Sequence, residues 1–182
     1  HNGLSPFKAE LAHYIKEKTV VNVEYQKEID KLSEISEKSI AGVITTNYDL
    51  ILEAIFSEYD VYIGQEELLF ANFTGMGEIY KIHGCIYQPD TMVLTQDDYD
   101  GFNERNAYLA AKLITIFIEH PIVFMGYSIN DSNIREILGS IVKCLSQEKI
   151  QRLQNNLYFV EWNSEPSSEF VVQKHDISME GG

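Results

Sequence analysis

Three short apolar runs in this chain each end in a cluster of small polar residues. Ile40 to Thr46 leads into Asn47-Tyr48-Asp49, Glu78 to Ile82 into His83-Gly84, and Pro121 to Met125 into Gly126-Tyr127-Ser128. Short apolar runs without helical period read as buried strands. Helical patterns of ten or more residues lie between them, an alternation that specifies a parallel, three-layer α/β sheet. Open sheets of that kind place their ligand contacts at the carboxyl ends of strands, so the polar clusters are expected to form one site. An amide, an imidazole, a carboxylate and small hydroxyls make up a nucleotide-handling set.

Around these runs the pattern predicts helices over Ser5 to Lys18, with Ser5-Pro6 as cap and first-turn pair, and over Val23 to Ser39. Further helices are expected over Asp49 to Tyr59, Asn103 to His120, Asp131 to Leu145 and Gln147 to Gln154. Asp60 to Ile63, Met92 to Leu94 and Asn156 to Glu161 read as additional strands, with Gly75-Met76-Gly77 and Gln88-Pro89-Asp90 as turns. The segment Tyr108 to Tyr127 reads as a buried helix followed by a buried strand, because Lys112, Glu119, His120 and Pro121 interrupt any membrane span. One domain is expected for 182 residues: a helical segment over 1–39, a motif-bearing core over 40–163 and a tail over 164–182. The ending Glu180-Gly181-Gly182 is a turn signal that suggests an excised piece.

A net charge of −14 repels phosphate backbones, which disfavours nucleic-acid binding in a chain with no basic patch. Cys85 and Cys144 form no C-x-x-C pair, so neither a disulfide framework nor a zinc ribbon is suggested, and a reducing cytoplasm is the default. His83 and Cys85 alone are too few ligands for zinc, and no metal is expected. The start of the chain lacks the basic and apolar pattern of a signal peptide.

Each polar cluster has a structural and a functional reading. Asp49 is placed to cap the helix after it or to grip a ligand. Asn47 suits a tight turn or a ligand contact. His83 can act as a general base or hydrogen-bond a ribose hydroxyl, and Gly84 permits a positive φ or a close approach. Gly126-Tyr127-Ser128, ahead of a helix capped by Asp131, offers backbone amides and a helix N-terminus to an anion, or an ordinary βα turn. Glu161, at the end of the last strand, is a candidate for a sugar hydroxyl. Gln96-Asp97-Asp98-Tyr99-Asp100 lacks the Gly and Glu of a calcium loop and reads as a solvated acidic turn.

Taken in order, Thr45-Thr46-Asn47-Tyr48-Asp49, His83-Gly84 and Gly126-Tyr127-Ser128 with Asp131 resemble the sirtuin-like family, in particular its bacterial antiphage-defence branch, over roughly Ile40 to Asn163. The resemblance implies a Rossmann-like fold that binds NAD and a bacterial, cytoplasmic NAD glycohydrolase. Asn47 would contact the nicotinamide ribose and position water, and His83 would be the catalytic histidine. Thr46 and Asp49 would support the nicotinamide side, while Gly126, Tyr127 and Ser128 would face the phosphates and adenosine ribose. A homo-oligomer and a fused or separate trigger domain are implied as well, with no nucleic-acid or membrane partner. Protein-deacetylating sirtuins carry two cysteine pairs between the histidine and the Gly-x-Ser segment, where this chain holds only Cys85. Water therefore becomes the expected acceptor in place of acyl-lysine. The family's Gly-Ala-Gly-x-Ser loop has no match before Ile40, which implies either a fold incomplete at its N-terminus or a degenerate site. A nucleotide sensor that controls oligomerisation without turnover is the alternative, with a protein deacylase behind it.

Overall fold

The structure, a computed structural model, describes residues 5–64, 67, 76–100, 107–126, 135, 138–139, 141–143 and 145–160. The chain divides into two compact units, His1–Leu109 and Ala110–Gly182.

The first unit opens with two helices, α1 (Pro6–Lys18) and α2 (Gln26–Ser39), joined through a 3-10 turn at Val23–Tyr25. Pro6 occupies the first turn of α1, where its missing N–H costs nothing. Asn22 caps the 3-10 turn by accepting from the Glu24 amide at 3.1 Å. The chain then alternates β1 (Gly42–Thr45), α3 (Ile51–Ile55), β2 (Asp60–Ile63) and β3 (Glu78–Lys81).

The three strands form a parallel sheet in the order β1-β3-β2, so the last strand to arrive in sequence sits at the centre. A central strand is covered on both faces, and every residue of β3 is buried. Phe56 completes the packing at the end of α3, tilted against Tyr59 at 5.2 Å. The Tyr59 hydroxyl donates to the Ile40 carbonyl at 2.5 Å, with the Ser36 carbonyl at 3.0 Å, which ties the end of α2 to the entry of β1.

Beyond β3 come a 3-10 turn at Pro89–Thr91 and the short helix α4 (Gln96–Asp100). Met92 to Leu94 is not the expected strand. Met92 and Val93 are buried as an irregular segment whose Val93 amide donates to the His83 carbonyl at 3.0 Å. The acidic run is a short helix and not a turn: Gln96, Asp97 and Tyr99 are exposed, as expected, but Asp98 turns inward to cap its own helix, as described below.

Helix α5 (Ala107–Glu119), which belongs to the second unit from Ala110 onward, leads into β4 (Ile122–Met125), which pairs in parallel with β5 (Leu157–Val160) after helix α6 (Gln147–Gln154). Residues 135, 138–139 and 141–143 are also helical. Phe124 anchors this unit: it stacks on its register partner Phe159 at 4.3 Å and meets Phe117 of α5 edge-on at 5.8 Å. β4 is not buried throughout, as its apolar composition suggested. Val123 and Met125 alternate outward and are exposed, as are their register partners Tyr158 and Val160. The observed class is α/β with parallel sheets, and no helix among the described residues is long and apolar enough to cross a membrane.

Candidate active site at the carboxyl edge of the first sheet

β1 and β3 are neighbours, and Thr45 lies opposite Lys81. The ladder continues one step past the strands through the Ile82 amide, which donates to the Thr45 carbonyl at 3.0 Å. Asn47 follows β1 by two residues and His83 follows β3 by two. The two candidates of catalytic type therefore leave the same edge of the same sheet on adjacent strands. Parallel pairing is what allows this, since antiparallel strands would send them to opposite ends.

The turn that carries Asn47 is held at several points. The Asn47 amide donates to Thr45 Oγ1 at 3.0 Å, and the Tyr48 carbonyl accepts from the Ile86 amide at 3.0 Å. The Tyr48 hydroxyl donates to the Val93 carbonyl at 2.6 Å. Burial, with Tyr99 and Asp98 nearby, pushes the Tyr48 phenol up to about 12, so it remains a neutral donor. Asp49 Oδ1 accepts from the Ile51 amide at 2.9 Å, an Asx turn that leads into α3, whose N-cap position is Leu50 and not the expected Asp49. Asn47 itself is exposed, Thr46 and Asp49 half-buried.

His83 is 4% exposed. Tyr99, itself 40% exposed, packs edge-on against the imidazole with ring centres 5.7 Å apart. Gly84 adopts φ +90°, and a Cβ there would overlap the Thr91 carbonyl and the Met92 amide. Both properties of glycine are thus used by the chain's own backbone. The close approach brings Thr91–Met92 against the histidine turn, and Thr91 Oγ1 accepts from the Cys85 amide at 3.1 Å. Burial pushes the Cys85 thiol up and keeps it protonated, as suits a small packing residue.

Tyr99 is fixed through its neighbour Asp98. Burial works against ionisation of Asp98, but the Leu94 and Thr95 amides at 3.0 and 2.9 Å and the Lys8 ammonium at 2.9 Å outweigh it. The carboxyl is held well below the usual range. Lys8 lies on α1, so this contact also binds the first helix to the segment beside His83.

Two residues of this neighbourhood were missed by the sequence reading. Lys81, on the central strand immediately before Ile82-His83, is 1% exposed, with its ammonium 2.7 Å from Glu53 Oε1 on α3 and donating to the Asp49 carbonyl. Neither Glu53 oxygen has a well-directed hydrogen bond, so the pair is held by charge and proximity. A lysine in a four-residue strand gives no sign of such burial.

Gly126 belongs to the second unit, directly after β4, with φ +73° and, among the described residues, nothing within 4 Å of where a Cβ would stand. Tyr127, Ser128, Asp131 and Glu161 lie outside the described residues.

Comparison with known proteins agrees with the motif order. The sequence pattern of the SIR2-like domain matches residues 41–177. Defense-associated sirtuin 2 of Bacillus subtilis is 33% identical over 109 residues, which cover 57% of this chain and 11% of that protein. A protein named NAD(+) hydrolase ThsA from Cytobacillus dafuensis is 31% identical over 108 residues, covering 57% of this chain and 22% of the relative. Its namesake from Acinetobacter baumannii is 31% identical over 111 residues, covering 59% and 23%. The matched segment thus spans less than a quarter of each of these relatives. With the family pattern running through both compact units, this chain belongs to the SIR2-like domain family.

Proposed function

We propose that this chain is the NAD-hydrolysing domain of a bacterial antiphage protein. The observation that carries the reading is that Asn47 and His83 follow the adjacent parallel strands β1 and β3 at the same edge of the sheet. It is supported by the relatives named NAD(+) hydrolase and defence-associated sirtuin. The family pattern across both units supports a single sirtuin-like domain.

In this reading Asn47 orients a water molecule toward the anomeric carbon of the nicotinamide ribose. The glycosidic C–N bond breaks, and its electron pair leaves with nicotinamide, neutralising the pyridinium. The ribose passes through an oxocarbenium-like state, which fixed dipoles can stabilise without a strong nucleophile. Water adds to the anomeric carbon and loses its proton, with His83 acting on the ribose hydroxyls as the acid–base group. Thr46 and Asp49 shape the nicotinamide side, Asp49 through the Asx turn it forms. Gly126, Tyr127 and Ser128 receive the phosphates and adenosine ribose, with Glu161 on a sugar hydroxyl. Among the described residues, nothing stands within 4 Å of a Cβ at Gly126, which suits an approaching anion. The protein acts in the cytoplasm as a homo-oligomer under control of a trigger domain.

Incubation with NAD in ¹⁸O-labelled water tests the reading. Free nicotinamide and ADP-ribose carrying one labelled oxygen are expected. Tight NAD binding with no product would replace the reading with the sensor, and release that requires an acylated peptide would replace it with the deacylase.

A further inference from the structure

A fully buried ammonium is costly, and a well-packed apolar residue usually serves stability at least as well as a buried ion pair. Lys81 is therefore poorly explained by stability alone. Its contacts are specific in another way. Lys81 stands two residues before His83, and its ammonium touches the Asp49 carbonyl, two residues after Asn47, together with the Glu53 carboxylate one turn into α3. One side chain on the strand that delivers the histidine thus grips both the turn that delivers the asparagine and the helix behind that turn.

The remaining backbone contacts of the turn hold its other groups: Thr45 Oγ1 takes the Asn47 amide and the Ile86 amide takes the Tyr48 carbonyl. Among the described residues, Lys81 supplies the hydrogen bond to the Asp49 carbonyl. Asn47 is exposed, so its own side chain contributes little to fixing the turn.

We infer that Lys81, charge-balanced by Glu53, is a positioning residue that ties the Asn47 turn to the strand that delivers His83. The inference rests on the assignment of Asn47 as a reacting group. It makes the Lys81–Glu53 pair part of the catalytic geometry without contact to substrate. Displacement of a positioned group by about 1 Å can cost on the order of a hundredfold in rate.

The experiment compares wild type, Lys81→Met, the double variant Lys81→Met/Glu53→Gln, and Lys31→Met as a control that removes the exposed Lys31–Glu34 pair. Nicotinamide release from NAD is measured as kcat and KM per folded molecule, with hydrogen exchange of the amides of residues 46–50. For Lys81→Met we expect kcat to fall on the order of a hundredfold, KM to change little, and exchange in the turn to accelerate. The double variant, which leaves no unpaired buried carboxylate, should recover thermal stability but not kcat, and Lys31→Met should match wild type. Recovery of kcat together with stability in the double variant would overturn the inference, as would a normal kcat in folded Lys81→Met. If wild type releases no nicotinamide, the NAD reading fails by itself. Exchange then decides the positioning role alone: faster exchange in the turn of Lys81→Met supports it, and unchanged protection rejects it.

Discussion

Every buried polar or charged side chain among the described residues lies in the first unit: Ser36, Thr45, Glu78, Lys81 and His83. In the second unit the buried side chains described are Leu113, Phe117, Phe124, Leu138, Ile141 and Leu153, all apolar. Apolar interiors tolerate exchange of one hydrophobe for another, provided volume is kept. Buried polar groups must keep specific partners, because an orphaned one costs about 1–3 kcal/mol. The first unit thus adds to its apolar core buried polar groups whose geometry is fixed group by group, and Thr45, Lys81 and His83 among them lie at the edge where Asn47 emerges. The second has an interior fixed by shape.

This contrast predicts different responses to substitution. The largest effect is expected from Phe124→Ala, which removes the ring stacked on Phe159 and packed on Phe117. Loss of a buried phenylalanine costs about 3–5 kcal/mol. Chemical denaturation should show that loss, with hydrogen-exchange protection falling at β4–β5 and persisting at residues 79–83.

Next come two glycines with the same sign of φ in different surroundings. Gly84→Ala combines a left-handed backbone, about 1–2 kcal/mol for a residue with a Cβ, with overlap on Thr91–Met92, a further ~1–3 kcal/mol. Gly126→Ala meets no neighbour among the described residues and should lose only the backbone part, about 1–2 kcal/mol. Equal losses by denaturation would mean that the histidine turn is less tightly packed than the geometry shows.

The smallest effect concerns acid. The folded state holds the Asp98 carboxyl below its ordinary value, so its stabilisation is present above the unfolded pKa of about 3.9 and is lost as pH falls toward the folded value. Asp98→Asn should therefore lower stability at neutral pH and flatten the acid limb of a melting-temperature profile. Parallel acid limbs in wild type and variant would show that Lys8 and the Leu94 and Thr95 amides do not hold the charge.

Much of this fold can be read from the chain itself. Gly42–Thr45 and Ile122–Met125 are apolar and bounded by turn residues, which is why β1 and β4 emerge from pattern alone. Asn47 and His83 follow strands, so their place at a sheet edge was legible, but the adjacency of those two strands was not. It depends on β3 entering between β1 and β2, a topological fact that no local pattern carries. Lys81 and Glu53 were illegible for a related reason: each is unremarkable in its own element, and only the packing of α3 on β3 brings them together. Met92 to Leu94 has strand composition, but its Val93 amide is taken by a turn instead of a ladder. Asp98 looked solvated because its partners are amides one turn away and a lysine on α1.

The paired assignment of Asn47 and His83 is tested by nicotinamide release from NAD in Asn47→Ala and His83→Ala, each compared with wild type at matched thermal stability. His83→Ala is expected to lose roughly 10²–10⁴ in kcat and Asn47→Ala about 10²–10³, with both proteins folded. Undiminished release by either folded variant would contradict a site built on the register of β1 and β3.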